Sequence, residues 1–166
     1  RQHNLMVHAI SVSSGPGSYT GLRIGVSEAK GLAYGLDVKL IAIPTLKLLA
    51  SIASSRVDDD VLLCPMIDAR RMEVYTSVFD NSLNIIEHTT AKIIDEDSFL
   101  NLLEEHKVAF FGDGAFKCKD IITHPNAIFL PNIHPLASGM ASLSLAAYKA
   151  GEFEDVAYFE PFYLKD

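Results

Sequence analysis

Apolar residues in the first third of the chain form two short continuous runs, and each run is followed by a segment with helical spacing. The run LMVHAISVS (Leu5–Ser13) predicts a buried strand that ends in Ser-Gly-Pro-Gly turn chemistry. From about Ser18 to Leu36 the apolar residues recur at helical spacing. VKLIAIP predicts a second strand, and TLKLLASIASS predicts a helix that begins after Pro44. This strand–helix–strand–helix order indicates a parallel sheet with crossover helices.

The pattern changes after the short acidic segment Ser55–Asp60, which is the best candidate boundary between a first lobe (1–55) and a second lobe (56–166). The runs VLLCPMIDA, RMEVYTSVF and NIIEHTTAKII predict three consecutive strands joined by tight turns. A helix (DEDSFLNLLEEH), a strand (KVAFFGDGA), a short helix (FKCKDIITH) and a strand (AIFLPN) follow. A long final helix then runs from Pro135 to Gly151, and we expect it to pack back on the first lobe.

The two predicted lobes share one order of elements. The second lobe is predicted as β-β-β-α-β-α-β-α, and the first lobe as the final β-α-β-α of the same series. The first lobe therefore reads as though three strands and a helix preceded Arg1.

Composition restricts the classes of function. The 166 residues are 49% hydrophobic and 21% charged, as in an ordinary globular protein. Lys and Arg total 14 against 21 Asp and Glu, so a net charge of -7 gives the chain no electrostatic reason to hold a polyanion by itself. RNA binding would need a partner with a positive surface. No apolar run approaches the length of a membrane span, and two cysteines without C-x-x-C spacing favour a reducing cytoplasm.

The stretch SSGPGSYTGLRIGVSEAKGLAYGL carries six glycines and fits neither G-x-x-x-x-G-K-[ST] nor G-x-G-x-x-G. A phosphate-binding loop is therefore the weaker interpretation. Gly17, Gly21 and Gly25 recur every four residues, with Ala29 and Ala33 continuing the row. Each glycine inside a helix costs about 1 kcal/mol relative to alanine. Close approach of a second helix is the usual compensation, so the pattern favours helix packing.

Arg23 occupies the first turn of the same predicted helix, where a cation opposes the helix dipole. Two interpretations stay open for it. The simpler one is a solvated side chain, and the other is an arginine that meets a carboxylate on a partner or on Glu28. Leu22, Val26 and Leu36 are expected to pack on the sheet.

Two later turns carry candidate anion-binding residues. DARRMEVY places Asp68, Arg70 and Arg71 at a strand turn, where the arginines either bind an anion or dock a partner, or form a hairpin with its own ion pairs. FFGDGAF places Asp113 where nucleotide-binding folds approach a ribose or a metal, although Asp-Gly is also a good turn, which is the simpler interpretation.

No catalytic set is visible in the sequence. The six histidines form neither H-E-x-x-H nor H-x-x-x-H, and there is no G-x-S-x-G elbow. Cys118 lies between Lys117 and Lys119, which lower a thiol pKa, but it has no adjacent base. A metal site built from this chain alone is not expected.

Four motifs, in order along nearly the whole chain, resemble the TsaB (YeaZ) family: GPGSYTGLRIGVSEAKGLAYGL, PMIDARRMEVYTSVFD, FGDGA and PFYLKD. The resemblance implies an α/β two-lobe fold of the actin-like, Hsp70-like and sugar-kinase kind (ASKHA, ribonuclease H-like). Members of that family begin with a strand bearing an I-D-T-S-type motif, a hairpin and a first interface helix. None of these precedes Arg1, so we expect a first lobe truncated at its N-terminus.

The TsaB family is similar to the catalytic TsaD subunit and is regarded as its non-catalytic paralogue. TsaD, with TsaB and the ATPase TsaE, transfers a threonylcarbamoyl group to N6 of adenosine 37 in tRNAs that read ANN codons. TsaD-like proteins hold a metal through an H-x-x-x-H motif, which this sequence lacks. The resemblance thus implies a non-catalytic cytoplasmic scaffold that contacts tRNA only through its complex.

The resemblance also implies partners and residues. The expected partners are a TsaD-like subunit, a TsaE-like ATPase or a second copy of the chain. The interface helix carries over to Gly21, Arg23, Gly25, Ala29 and Leu32. The chain would need no cofactor of its own, with ATP or ADP confined to a partner interface.

Two other functions stay open. One is an enzyme, either a glycoprotease-type hydrolase or an ATP-using phosphotransferase of this fold, with Asp68 and Asp113 as its only anchors. The other is a homodimeric regulator that uses the same helix surface.

Overall fold

The computed structural model describes residues 6–164. Its first part is a two-stranded parallel sheet of β1 (Ala9–Ser13) and β2 (Lys39–Ile43), with Ala9 opposite Lys39. The crossover between the strands is helix α1 (Tyr19–Leu36), and α2 (Thr45–Ala53) follows β2. The predicted parallel pair with a crossover helix is confirmed. The strand begins at Ala9, and Leu5 of the predicted run lies outside the described residues.

A second sheet has the strand order β5-β4-β3-β6-β7. Its strands are β3 (Leu62–Asp68), β4 (Glu73–Phe79), β5 (Ile85–Ile93), β6 (Val108–Phe111) and β7 (Ala127–Leu130). Two hairpins make β3, β4 and β5 antiparallel, whereas β6 and β7 run parallel to β3. The β3–β4 turn and the segment after β6 consequently meet at one end of the sheet.

Helix α2 packs between the two sheets because it is apolar on two sides. Leu46 and Leu49 belong to a buried cluster that includes Leu63 of β3 and Phe111 of β6. Leu48, on the other side of the helix, packs with Ile41 and Ile43 of β2 and with Ala147. Ala147 belongs to the last helix, α4 (Ala141–Ala150), so α4 packs on the smaller sheet.

Three predicted helices differ from those observed. The acidic segment 95–106 forms a helix, α3, only over Leu100–Glu105. Asp95 and Ser98 form a closed turn, in which the Ser98 hydroxyl donates to Asp95 Oδ1 at 2.7 Å and accepts from the Asp95 N–H at 3.0 Å. Phe99, next in the chain, has φ 65°, a left-handed conformation that delays the helix.

The other two differences concern tighter helical turns. FKCKDIITH contains a 3₁₀ turn at Phe116–Cys118, and the final helix begins as a 3₁₀ turn at Ala137–Met140. The final helix ends at Gly151, which has φ 74°, as predicted. Within residues 6–164 none of the helices combines the length and the apolar character that crossing a membrane requires.

Candidate functional site

Helix α1 begins and ends with local signals that the sequence supplies. Ser18 caps its start, because the Ser18 Oγ accepts a hydrogen bond from the Gly21 N–H at 3.3 Å. Asp37 ends it in a left-handed conformation with φ 51°. One face of the helix is buried and carries Leu22, Val26, Ala29 and Ala33, of which Ala29 and Ala33 pack with Leu40 of the smaller sheet.

The opposite face of α1 is open. Gly21 and Leu32 are exposed, and Gly25 lies at the edge of this face, half-buried. A Cβ built at Gly25, Gly31 or Gly35 would meet no atom within 4 Å. Ile24 is 63% exposed and Leu32 48%, so small residues and apolar side chains share the same strip. We call this surface the α1 strip: Gly21, Ile24, Gly25, Gly31, Leu32 and Gly35.

The structure corrects the prediction that Ala29 lies on this surface. Ala29 is 6% exposed and packs against Leu40, Ile10 and Val12 of the chain's own sheet. The row of four-residue steps drifts because each step advances about 40° around a helix of 3.6 residues per turn. From Gly21 to Ala29 the drift is enough to move the row from the open face to the buried face. Leu36, which was expected on the sheet side, is the last residue of the helix and is 53% exposed.

Arg23 lies on the flank of α1 that also carries Val26 and Lys30, and it stacks on an aromatic ring. Its Cζ is 4.4 Å from the centroid of the Tyr19 ring, one helical turn earlier. It forms no ion pair with Glu28 in the part of the chain that the structure describes. The Tyr19 ring in turn contacts the Tyr163 ring, with centroids 5.1 Å apart.

A cleft of about 1030 Å³ separates the start of α1 from the end of the larger sheet. Arg23 and Tyr19 line the side of α1, Arg70 and Tyr75 line the side of the larger sheet, and residues 162–164 also contribute to the lining. The cleft therefore brings together the arginine of α1 and most of the predicted anion-binding residues. Asp68 and Asp113 also line the cleft, whereas Gly21, Gly25 and Arg71 lie outside its lining.

The β3–β4 turn is held in an unusual conformation. Arg70 and Arg71 have φ angles of 72° and 47°, which L-residues adopt only when other contacts fix them. Lys117 supplies those contacts, because its Nζ donates to the Arg71 carbonyl at 2.8 Å and to the Glu73 carbonyl at 2.7 Å. The same ammonium group pairs with the Asp68 carboxylate.

Asp68 is thus an internal anchor of the turn. The Lys117 ammonium donates to its carboxylate and holds the pKa of that carboxyl below its usual value. The Arg70 N–H adds a hydrogen bond to Asp68 Oδ1 at 2.9 Å. The arginine turn is consequently held by an ion pair to Lys117, which lies outside the hairpin, and Arg70 lines the cleft.

The Gly-Asp-Gly turn after β6 packs against the end of β3. Asp113 Oδ1 accepts a hydrogen bond from the Asp68 N–H at 3.0 Å, so its side chain caps β3. A Cβ at Gly112 would lie 2.3 Å from the Met66 carbonyl oxygen, and one at Gly114 would lie 2.9 Å from the Ile67 carbonyl carbon. Both glycines are therefore required by close backbone approach.

The roles of two residues at the site, Lys117 and Tyr163, were not predicted from the sequence. Lys117 was considered only as a neighbour of Cys118, and its role depends on the turn of β3 and β4, 46 residues away along the chain at Arg71. Tyr163 had no signal of its own beyond its membership of the PFYLKD motif. Both contacts join segments that only the fold brings together.

Among the described residues both cysteine thiols are buried, and no cluster of metal ligands is present. Burial raises the pKa of the Cys64 thiol to about 12, and burial also raises that of Cys118, whose Sγ donates to the Gly114 carbonyl. Within residues 6–164 no group of three or more His, Cys, Asp and Glu residues is arranged to hold a metal ion.

A family model described as "TsaD: tRNA N6-adenosine threonylcarbamoyltransferase" matches residues 4–166. The chain belongs to this family. The match covers the strands of both sheets, α1, the arginine turn and the Gly-Asp-Gly turn. The expected fold class is confirmed by this match together with the strand order of the larger sheet.

Curated relatives of the chain are named "tRNA threonylcarbamoyladenosine biosynthesis protein TsaB". The Bacillus subtilis protein is 46% identical over 78 residues, which are 47% of this chain and 33% of the relative. The Escherichia coli protein is 37% identical over 82 residues, 49% of this chain and 35% of the relative. The predicted resemblance to TsaB is confirmed. The chain spans about a third of the length of these curated relatives.

A solved structure from Pseudomonas aeruginosa shares the fold. It is described as an uncharacterized protein with similarity to peptidase YEAZ. It superimposes with a TM-score of 0.82 at 25% sequence identity, over 96% of this chain and 74% of that one. The names of the curated relatives and of the solved structure therefore both agree with the TsaB (YeaZ) resemblance that the motifs indicated.

Proposed function

We propose that this chain is a non-catalytic scaffold that pairs with a TsaD-like subunit. In the cytoplasm the pair, with a TsaE-like ATPase, would carry out threonylcarbamoylation of N6 of adenosine 37 in ANN-reading tRNAs. The names of the relatives support the pathway. The observation that carries the pairing is the α1 strip, in which Gly25, Gly31 and Gly35 have open space where a Cβ would stand.

The open glycines need an explanation from outside the chain. Each of Gly25, Gly31 and Gly35 costs about 1 kcal/mol of helix stability relative to alanine. No close contact within the described chain compensates for that cost, because no neighbouring atom lies within 4 Å of their Cβ positions. A second helix could approach closely in the space that the glycines leave free, and Ile24 and Leu32 would supply apolar contact.

The scaffold role is supported by the chemistry of the remaining groups. Both cysteines are buried with raised pKa values, so neither is a thiolate nucleophile near neutral pH. A net charge of -7 makes direct binding of tRNA unfavourable, so tRNA would contact the positive surface of a partner.

An adenine nucleotide is not required by the chain in this proposal. Where ATP or ADP binds at a partner interface, the cleft would be its place, with Arg23 and Arg70 facing the phosphates. Asp68 and Asp113 are less suited to hold a nucleotide than expected, because both take part in hydrogen bonds that fix the turns.

The experiment replaces Gly25 by leucine. Pairing with TsaD is measured by light scattering after gel filtration. Modified adenosine is counted in a mixture of TsaD, TsaE, threonylcarbamoyl-adenylate and tRNA. Ala146→Leu, an exposed small residue on α4, is the matched control. Loss of pairing and of product with Gly25→Leu, but not with Ala146→Leu, is expected.

Other outcomes separate the alternatives. If TsaD forms product equally well without the chain, the scaffold proposal fails. If Gly25→Leu disrupts only a homodimer while product formation is unchanged, the strip serves self-association. Peptide or ATP hydrolysis by the chain alone would favour the enzyme interpretation.

A further inference from the structure

The C-terminal segment 152–164 crosses the smaller sheet and α1 with almost no regular structure of its own. It is attached to β2 by the Glu154 N–H, which donates to the Leu40 carbonyl at 2.9 Å. Val156 and Phe159 pack against the buried face of α1. Asp155 Oδ1 accepts from the Ala157 N–H at 2.8 Å, and this bond closes a turn within the segment. The segment is therefore seated on the flank of α1 and leaves the α1 strip open.

Lys30 fixes this segment to the helix. Its Nζ donates to the Ala157 carbonyl at 3.1 Å and to the Phe159 carbonyl at 2.9 Å, more than 120 residues along the chain. Both carbonyls belong to the turn that begins at Asp155, which the Phe159 N–H closes by donating to the Asp155 carbonyl. Lys30 is half-buried, so its ammonium group is held by the segment rather than directed fully to water.

The segment then reaches the start of α1. The Phe162 N–H donates to the Ser14 carbonyl at 2.7 Å, and the Phe162 carbonyl oxygen would lie 2.6 Å from a Cβ at Gly15. Tyr163 consequently stands beside Tyr19, on whose ring Arg23 lies. Arg23 and Tyr163 together line both the large cleft and a groove of about 300 Å³ between α1 and the segment.

We propose that segment 152–164 is a strap that positions Arg23 on the flank of α1 beside the cleft, with Lys30 and Tyr163 as the positioning residues. This inference rests on the proposed pairing function. Arg23 is the fifth residue of α1, and its long side chain has many rotamers to lose on binding. The stack Tyr163–Tyr19–Arg23 fixes the guanidinium before a partner arrives, so less conformational entropy is lost when pairing occurs.

The first test uses the chain alone. Protons of Arg23 that lie over the Tyr19 ring are expected upfield in the NMR spectrum. Tyr163→Leu is expected to remove that shift, whereas Tyr163→Phe, which keeps the ring, retains it. Tyr158→Leu is the matched control, since Tyr158 lies in the same segment and is 84% exposed. An unchanged Arg23 shift in a folded Tyr163→Leu variant overturns the strap proposal, whatever the partner does.

The second test measures affinity for TsaD in a double-mutant cycle. Arg23→Gln and Tyr163→Leu are each expected to weaken pairing by about tenfold, and the double variant by no more than Arg23→Gln alone. Lys30→Met should act in the same direction, with Lys149→Met, on exposed α4, as its control. Additive effects of Arg23→Gln and Tyr163→Leu would show that Tyr163 acts otherwise than through Arg23 and overturn the proposal.

The two tests separate the inference from the function on which it rests. If the wild-type chain binds no TsaD while Tyr163→Leu still moves the Arg23 signal, the pairing function fails and the strap stands. If pairing is strong but insensitive to Tyr163 and Lys30, the strap fails and the pairing function stands.

Discussion

The ammonium group of Lys117 pairs with the carboxylate of Asp68 and fixes the only turn of the described chain in which two consecutive arginines are left-handed. Lys117 also donates to the carbonyls of Arg71 and Glu73, so one side chain satisfies three acceptors of the β3–β4 connection. Its side chain is 23% exposed, whereas that of Asp68 is 50% exposed. The shape of one cleft wall therefore depends on a lysine from the segment after β6.

Lys117→Met is expected to destabilise the fold by about 1–3 kcal/mol, because three acceptors lose a charged donor. Urea unfolding followed by circular dichroism measures the change. Lys119→Met, two residues away and exposed, is the control and should change the free energy of unfolding by less than about 0.5 kcal/mol. Equal effects of the two substitutions would contradict the role assigned to Lys117.

Asp68 should make the stability depend on pH in the acid range. Its native pKa is below the usual 3.8, chiefly because of the Lys117 hydrogen bond. The unfolded state therefore binds a proton first as the pH falls. The contribution of Asp68 is complete above pH 3.8 and is lost as the pH falls through the native pKa. Unfolding midpoints measured from pH 6 down to about pH 2.5 should fall more steeply for the wild type than for Asp68→Asn.

The two buried cysteines are expected to resist thiol reagents. Burial raises the pKa of Cys64 from 9.0 to about 12, so this group stays a thiol in the native state while the unfolded chain ionises. Ionisation of Cys64 does not change the free energy of unfolding below pH 9.0. Above pH 9.0 it lowers that free energy by up to about 1.4 kcal/mol per pH unit. Cys64→Ser should flatten that alkaline slope. Rapid labelling of both cysteines in the folded chain at pH 8 would contradict the burial.

Gly112 is expected to tolerate no side chain. Its φ is 98°, and an added Cβ would lie 2.3 Å from the Met66 carbonyl oxygen, so Gly112→Ala combines backbone strain with a backbone clash. A loss of about 3 kcal/mol in the free energy of unfolding is expected. Gly31→Ala, on the open face of α1, is the control and should not destabilise the chain. Equal stability of the two variants would contradict the close backbone approach described for the Gly-Asp-Gly turn.

The sequence predicted those parts of the fold whose causes are local. Hydrophobic runs predicted the seven strands found in residues 6–164, Ser18 and Gly151 lie at helix ends, and the hairpin turns follow from strand spacing. The segment 95–106 was predicted too long because the Asp95–Ser98 turn competes with the helix for the same backbone groups. Local patterns do not show which of two local structures wins.

The candidate site was predictable only in part, since its geometry comes from contacts between distant segments. The motifs identified Arg23 and Arg70, but the sequence did not show that one cleft holds both. Lys117 and Tyr163 act through partners 46 and 144 residues away along the chain, at Arg71 and Tyr19. Ala29 was assigned to the wrong face because a four-residue repeat is not quite the helical period.

That rotation of the row along α1 gives the last prediction. Ala29 is 6% exposed and packs on Leu40, so Ala29→Leu should overpack the core and destabilise the chain by about 1–3 kcal/mol. Gly25→Ala adds a Cβ that meets nothing within 4 Å, so it should stabilise the helix by about 0.5–1 kcal/mol. Thermal unfolding of both variants in the absence of any partner measures this contrast. A destabilising Gly25→Ala would mean that the glycine serves the fold of the chain itself, and the α1 strip would then lose the argument for a partner.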